Sequence, residues 1–304
     1  MSKNKIKVAI IGTGNIGTDL CARLCLDDEF EVVAFVGRRP DSPGLKEFEG
    51  RVENLISGGL EELLSRGIEV DGVFDASSAF DHKSHWQLLQ EKNIWAIDLT
   101  PSKIGKPFVP ELLGKIPGME IQDKKLSNYS MVTCGGQSSA PLLYAMALNS
   151  EDIEDVEVSS SIASLSAGPA TRRNIDQYIQ STENLIEIIT KCKKVKAILV
   201  LNPAEPPVMM RTSVHMKVRS FNLKPMLTSA REVVSQVQKY VPGYNLVVEP
   251  HSPTPGYITA TVKVVGAGYA LPEYAGNLDI INAAGVETAR LHSRLHSQTS
   301  GTNS

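Results

Sequence analysis

A chain of 304 residues exceeds the usual size of one domain, so two domains, each able to bury its own core, are the expectation. Its formal net charge of -3, from 31 Lys and Arg against 34 Asp and Glu, lacks the basic excess of a nucleic-acid binder. No apolar run is long enough to span a bilayer and the first residues carry no signal-peptide pattern, so a cytoplasmic protein is expected.

The chain opens with KIKVAIIGTGNIGTDLCARL. Val8 to Ile11 is the short all-apolar run of a parallel strand buried on both faces, and Gly12, Gly14 and Gly17 follow as G-x-G-x-x-G. The first glycine permits a tight turn, the second lets a pyrophosphate approach the backbone, and the third lets the helix pack close to the strand. Ile16, Leu20 and Leu24 then recur at i, i+4 and i+8, an apolar helical stripe. Strand before and helix after make this a dinucleotide site. A second strand, Glu31 to Gly37, ends at Arg38 and Arg39, where a carboxylate would read the ribose of NAD; two guanidiniums suit a 2′-phosphate, so NADP is favoured over NAD. Strands at Val70 to Ser77 and Trp95 to Pro101, interleaved with amphipathic segments, complete a doubly wound parallel sheet, a Rossmann domain over 1–133.

Four cysteines, Cys21, Cys25, Cys134 and Cys192, make no disulfide framework, and none forms a C-x-x-C pair. Cys21, Cys25 and Cys192 read as small buried hydrophobes. Cys134 differs, because it lies between the apolar Met131-Val132 and GGQSSAPLLYAMAL, where a helix begins. Backbone N–H groups and the helix dipole favour thiolate there, and the N–H groups of Gly135 and Gly136 can cradle an oxyanion. A nucleophilic cysteine in a chain with a nicotinamide site points to aldehyde capture on sulfur, hydride transfer and a residual thioester.

Beyond residue 150 the texture changes. DVEVSSSIA and YITATVKVV alternate apolar and small polar residues, and NLIEIITKC and SAREVVSQVQKYV carry helical spacing, so an α+β substrate domain is expected over 134–276. A last helix over 277–297 packs back on the Rossmann domain, and 298–304 reads as a disordered tail. His292 and His296 have H-x-x-x-H spacing without an acidic partner, so no metal site is expected; His82, His85 and His251 show no constellation.

The whole resembles the acylating acetaldehyde dehydrogenases that partner 4-hydroxy-2-oxovalerate aldolases. The resemblance is carried in order by VAIIGTGNIGTDL, VFDASSA, DLTPSKIG, NYSMVTCGGQ, SAGPATRRNID, LNPAEPP, YVPGY and YAGNLDI. It implies that Cys134 forms the acyl-thioester, that coenzyme A accepts the acyl group, and that the second domain dimerises. It also implies a dinucleotide site lined by Thr13, Asn15 and Ile16 of the glycine turn, by Ser166, Ala167, Gly168, Pro169, Arg172 and Asn174, and by Asn277. An aldolase partner is part of the same implication.

Three departures stand out. The resemblance puts an Arg-Asp pair after NPAEPP, its Asp a general base, but here Thr212 follows Arg211. A threonine hydroxyl takes no proton near neutral pH, and His215, three residues on, is the candidate substitute although strand alternation turns it away from Thr212. Arg39 stands where an acid is common, and the stretch around VVEPHSPTPGYITATVKV is shortened. Two other readings stay open at this level: a semialdehyde or carrier-protein thioester reductase using the same cysteine, and a dinucleotide-binding regulatory or scaffold protein.

Overall fold

The computed structural model describes residues 5–121 and 126–300, with the side chains of 169–170 and 296–300 excepted. The chain divides into two compact units, Met1–Lys106 with Ile121–Met131 and Gly285–Ser304, and Pro107–Glu120 with Val132–Ala284. A single cut at 133 does not describe this division, because the chain passes between the units several times.

In the first unit β1 (Ile6–Ile11), β2 (Phe30–Val36), β3 (Asn54–Ile56), β4 (Gly72–Asp75), β5 (Trp95–Asp98), β6 (Lys106–Pro107) and β7 (Asn128–Ser130) form one sheet in the order β3-β2-β1-β4-β5-β7-β6. The neighbours from β3 through β7 pair in parallel. Helices α1 (Asn15–Leu24), α2 (Pro43–Glu47), α3 (Gly59–Ser65) and α4 (Ala79–Glu91) connect them. Val8, Ala9 and Ile10 are fully buried, as an all-apolar strand covered on both faces requires. The order reverses between β1 and β4, which opens a crevice beyond their C-terminal ends.

The doubly wound expectation is met, with shorter strands. Asp75 Oδ1 accepts the Ser77 N–H at 3.0 Å and Asp98 Oδ1 accepts the Thr100 N–H at 2.8 Å. Each aspartate thus turns its own backbone two residues on and stops the strand. The same device at adjacent strand ends explains why VDGVFDAS and WAIDLTP yield four strand residues each.

The second unit holds α5 (Cys134–Ala147), β8 (Ser150–Ala163), α6 (Pro169–Arg173), α7 (Ile175–Thr190), β9 (Val195–Asn202), β10 (Met210–Phe221), α8 (Leu223–Val237), β11 (Tyr244–His251) and β12 (Tyr257–Val264). Its sheet runs β11-β12-β10-β8-β9, antiparallel except for the β8–β9 pair. Along β10 the residues Met210, Thr212, Val214, Met216 and Val218 are buried, whereas Arg211, His215 and Lys217 are exposed. Helix α5 lies across β8, β10 and β12, α7 covers β9 and α8 covers β11. One face of the sheet is therefore core, and burying each Val or Met there contributes roughly 1.5–3 kcal/mol. The shortened stretch forms the β11–β12 pair, an edge of this sheet.

The last helix, α9 (Gly276–Ser300), begins in the second unit and belongs to the first from Gly285 on. There a β-carbon on Gly285 would lie 3.2 Å from Ile97 and Leu99 side chains, and Arg290 pairs with Asp27 and Glu29. His292 is buried, its Nδ1 3.0 Å from the Tyr129 hydroxyl. The helix runs past residue 297; residues 301–304 of the expected tail, and the His296 side chain, lie outside the described residues. No described helix is long and apolar enough to cross a membrane.

Candidate active site

The three glycines of the opening motif act for three separable reasons. Gly12 has φ +103°, and a β-carbon on it would stand 2.4 Å from the Ala76 carbonyl oxygen. A β-carbon on Gly17 would meet the Gly12 carbonyl at 1.8 Å, so glycine there lets α1 close on the turn. Gly14, the N-cap of α1, has nothing within 4 Å of such an atom: it faces open space. That space is a cleft of about 600 Å³ walled by Gly12, Thr13 and Gly14, by Arg38, Arg39 and Ser42, and by Ser77 and His85. Asn15 is exposed and Ile16 half-buried at the start of α1, whose positive end stands at the cleft.

The two arginines are not equivalent. Arg38 Nη1 lies 3.1 Å from Asp81 Oδ2, which also accepts the Ser78 hydroxyl at 2.7 Å. Arg39 is exposed and makes no ion pair among the described residues. Thr13 and Ser42 hydroxyls meet at 2.7 Å in the same wall.

His82 and His85, without a constellation in the sequence, share one here. Both Nδ1 atoms reach Asp75 Oδ2, at 2.9 and 2.7 Å, while His82 Nε2 meets Asn128 at 2.9 Å. Burial opposes ionisation of Asp75, but the two imidazoles and the Ser77 hydroxyl outweigh it and hold the carboxyl well below the usual range. Burial also opposes charge on His82, and its aspartate neighbours overcome that and raise its pKa. Asp98, equally buried, is pushed up by burial. The signal in the sequence was two histidines three apart on a helix that follows a strand-ending aspartate. His251 is exposed at the end of β11, its Nδ1 2.9 Å from the Glu249 carbonyl oxygen two residues back.

In the second unit Val132 adopts φ +54°, an outlier for a β-branched residue at a cost of about 1–3 kcal/mol. The turn it makes delivers Thr133 as N-cap, its Oγ1 accepting the Gly136 N–H at 2.8 Å, and puts Cys134 at the first position of α5. The Gly136 N–H is therefore committed to the cap. This corrects the expectation that it supports an oxyanion; the N–H of Gly135 reaches the Cys134 sulfur instead.

Around Cys134 stands a cluster of hydroxyls. Cys134 Sγ lies 3.9 Å from the Tyr178 oxygen, on α7. The Ser160 hydroxyl bonds that phenol and lies 3.1 Å from Thr212 Oγ1, which meets Ser138 Oγ at 2.7 Å. Tyr244 donates to the Ser138 carbonyl at 2.7 Å beside Pro141, which has no N–H to give α5. The thiol is not acidified as its helix-start position suggests: burial pushes it up to about 11, and the Tyr178 hydrogen bond and the backbone N–H groups of Gly135 and Cys134 offset only part of that.

His215 is the second correction. It lies exposed on the opposite face of β10 from Thr212, bonded through Nδ1 to Thr259 at 2.8 Å, so strand alternation removes it from the cysteine. Tyr178, Ser160 and Ser138 were missed, because hydroxyl residues spread over three elements give no spacing signal.

The remaining expected cofactor residues lie in this unit. Ser166 and Ala167 are buried, and Gly168 borders open space. Arg172 caps its own loop, donating to the Ala167 and Ser164 carbonyls at 3.0 Å each. Asn174 is the N-cap of α7, and the Pro169 side chain lies outside the described residues. Asn277 is buried, and its Oδ1 has no hydrogen-bond partner among the described residues. Among the described residues no group of three or more His, Cys, Asp or Glu is placed to hold a metal ion.

A doubly wound unit with a glycine-built cleft and a mixed-sheet unit whose helix α5 begins on a half-buried cysteine make the architecture of a dinucleotide-fold oxidoreductase. The fold is shared with aspartate semialdehyde dehydrogenase II from Vibrio cholerae, at a TM-score of 0.58 over 96% of this chain and 99% of that one, with 13% identity. Residues 134–272 match the family described as prokaryotic acetaldehyde dehydrogenase, dimerisation. Acetaldehyde dehydrogenases from Spirochaeta aurantia and Pectobacterium atrosepticum are 43% and 41% identical to it, covering 97% and 96% of this chain and 97% of each relative. The chain belongs to the acetaldehyde dehydrogenase family.

Proposed function

We propose that this chain is a CoA-acylating aldehyde dehydrogenase that interconverts a short acyl-CoA, acetyl-CoA first, and its aldehyde through a thioester on Cys134. The observation that carries this is the placement of Cys134 at the first position of α5, delivered by the strained Val132 and the Thr133 cap, at the start of the segment that matches the family. Cys134 Sγ attacks the acyl carbon, with the Gly135 N–H beside the sulfur. The names of relatives more than 40% identical support acetaldehyde over a semialdehyde, whereas the 13% likeness supports the fold alone.

A nicotinamide dinucleotide fits the residues of the first unit: Gly12, Gly14 and Gly17 leave the room a pyrophosphate needs; Asn277 of the second unit is assigned to it from the resemblance. Thr13, Asn15, Ile16, Ser166 to Pro169, Arg172 and Asn174 are the other residues we assign to it. When bound, it supplies or accepts the hydride. The half-exposed sheet face bearing Ser159, Ser161, Ser213, Thr259 and Thr261 is the surface we assign to a second copy in a homodimer.

For the cofactor we favour NADP. Arg38 is paired with Asp81, so discrimination rests mainly on Arg39, whose charge-assisted bond to a 2′-phosphate is screened by solvent and gives about tenfold. The test is the ratio of kcat/KM for NADPH and NADH with acetyl-CoA, on the wild type and on Arg39→Asp. We expect a preference for NADPH that the substitution removes. A preference for NADH, or a ratio that Arg39→Asp leaves unchanged, returns the enzyme to NAD.

A further inference from the structure

We propose that Tyr178 is a catalytic residue of this chain: its phenol oxygen is the hydrogen-bond partner of the Cys134 sulfur during acyl transfer, held there by the Ser160, Thr212 and Ser138 hydroxyls. The inference rests on the reading of Cys134 as the acyl carrier.

The approach of the phenol is built into the backbone. A β-carbon on Gly135 would stand 2.1 Å from the Tyr178 oxygen and 2.9 Å from Ser160 Oγ, so the glycine after the nucleophile makes room for this tyrosine. One helical turn further along α7, Thr182 Oγ1 meets Thr133 Oγ1 at 2.8 Å and bonds the Tyr178 carbonyl at 2.8 Å. The cap that places Cys134 and the helix that carries Tyr178 are thus tied at a common point. Behind the phenol, Ser160, Thr212 and Ser138 are each no more than 1% exposed and form a continuous hydroxyl chain.

Among the described residues the side chain that hydrogen-bonds the thiol is Tyr178, and the backbone N–H groups of Gly135 and Cys134 also reach it. We therefore assign proton handling at Sγ to the phenol. Burial keeps Tyr178 protonated far above neutral pH, so it accepts the S–H bond of the resting thiol and donates O–H to the sulfur once that proton has gone. The bond is long in the thiol and strengthens when its acceptor is charged.

The step balances without a further reactant. Sγ forms a bond to the acyl carbon as the carbonyl pair moves to oxygen; the pair returns, the carbon–sulfur bond to CoA breaks, and the thiol proton passes by the phenol oxygen to the departing sulfur. A thiol and a thioester give a thioester and a thiol.

Tyr178→Phe keeps the ring and removes the hydroxyl. In the full chain, iodoacetamide modification of Cys134, followed on its own peptide across pH, reports the thiolate, and steady-state assays with acetyl-CoA report kcat and KM. We expect the alkylation profile to move to higher pH, the rate at fixed pH and kcat each to fall about tenfold, and KM to stay. Where Tyr178→Phe does not accumulate folded, Ser160→Ala retains the phenol without its partner and moves the profile the same way by less. An unmoved alkylation profile overturns the proposal whatever the substrate. Absence of acyl transfer in the wild type overturns instead the reading on which it rests.

Discussion

The two sites of this molecule are made in opposite ways. The cleft of the first unit comes from backbone: a six-residue glycine motif, one positive φ and two approaches too close for any side chain. The cysteine site comes from side chains on four elements, Cys134 and Ser138 on α5, Ser160 on β8, Tyr178 on α7 and Thr212 on β10, brought together by sheet register and helix packing. A site made of backbone announces itself in consecutive residues. A site made of distant side chains shows in the sequence only its nucleophile.

The largest test of that contrast is Cys134→Ser. Serine without a paired base is a poor nucleophile, so turnover should fall by at least about a thousandfold while cofactor affinity, measured by fluorescence titration, stays put. Retention of more than a few per cent of the activity would remove the covalent role of Cys134.

Gly12→Ala is the converse. It forces a β-carbon against the Ala76 carbonyl at a positive φ, a strain of about 1–3 kcal/mol, so cofactor affinity should drop about tenfold or more. Cys134 alkylation in the folded variant should not change. A parallel loss of thiol reactivity would mean that the two sites are not separately built.

These contrasts also explain what could be read in advance. The parallel sheet, its glycine turn and the helix start at Cys134 were legible because each depends on neighbours in sequence. The strand ends were not, since Asp75 and Asp98 stop their strands through side-chain bonds that β-propensity does not register. The protonation of Cys134 was misjudged for a related reason: a helix start argues for thiolate, but the burial that pushes the thiol to about 11 is supplied by elements far along the chain. His215 was correctly placed by alternation on the face away from Thr212, and that geometry is what rules it out.

The central claim is that Cys134 carries the acyl group. It is tested most directly by incubating the full-length protein with acetyl-CoA in the absence of reduced cofactor, quenching in acid and weighing the intact chain and its peptides. The account predicts a single acetyl adduct, on the peptide that contains Cys134, absent from Cys134→Ala and discharged by added CoA. An unmodified chain, or an adduct located at Cys25 or Cys192, would contradict it.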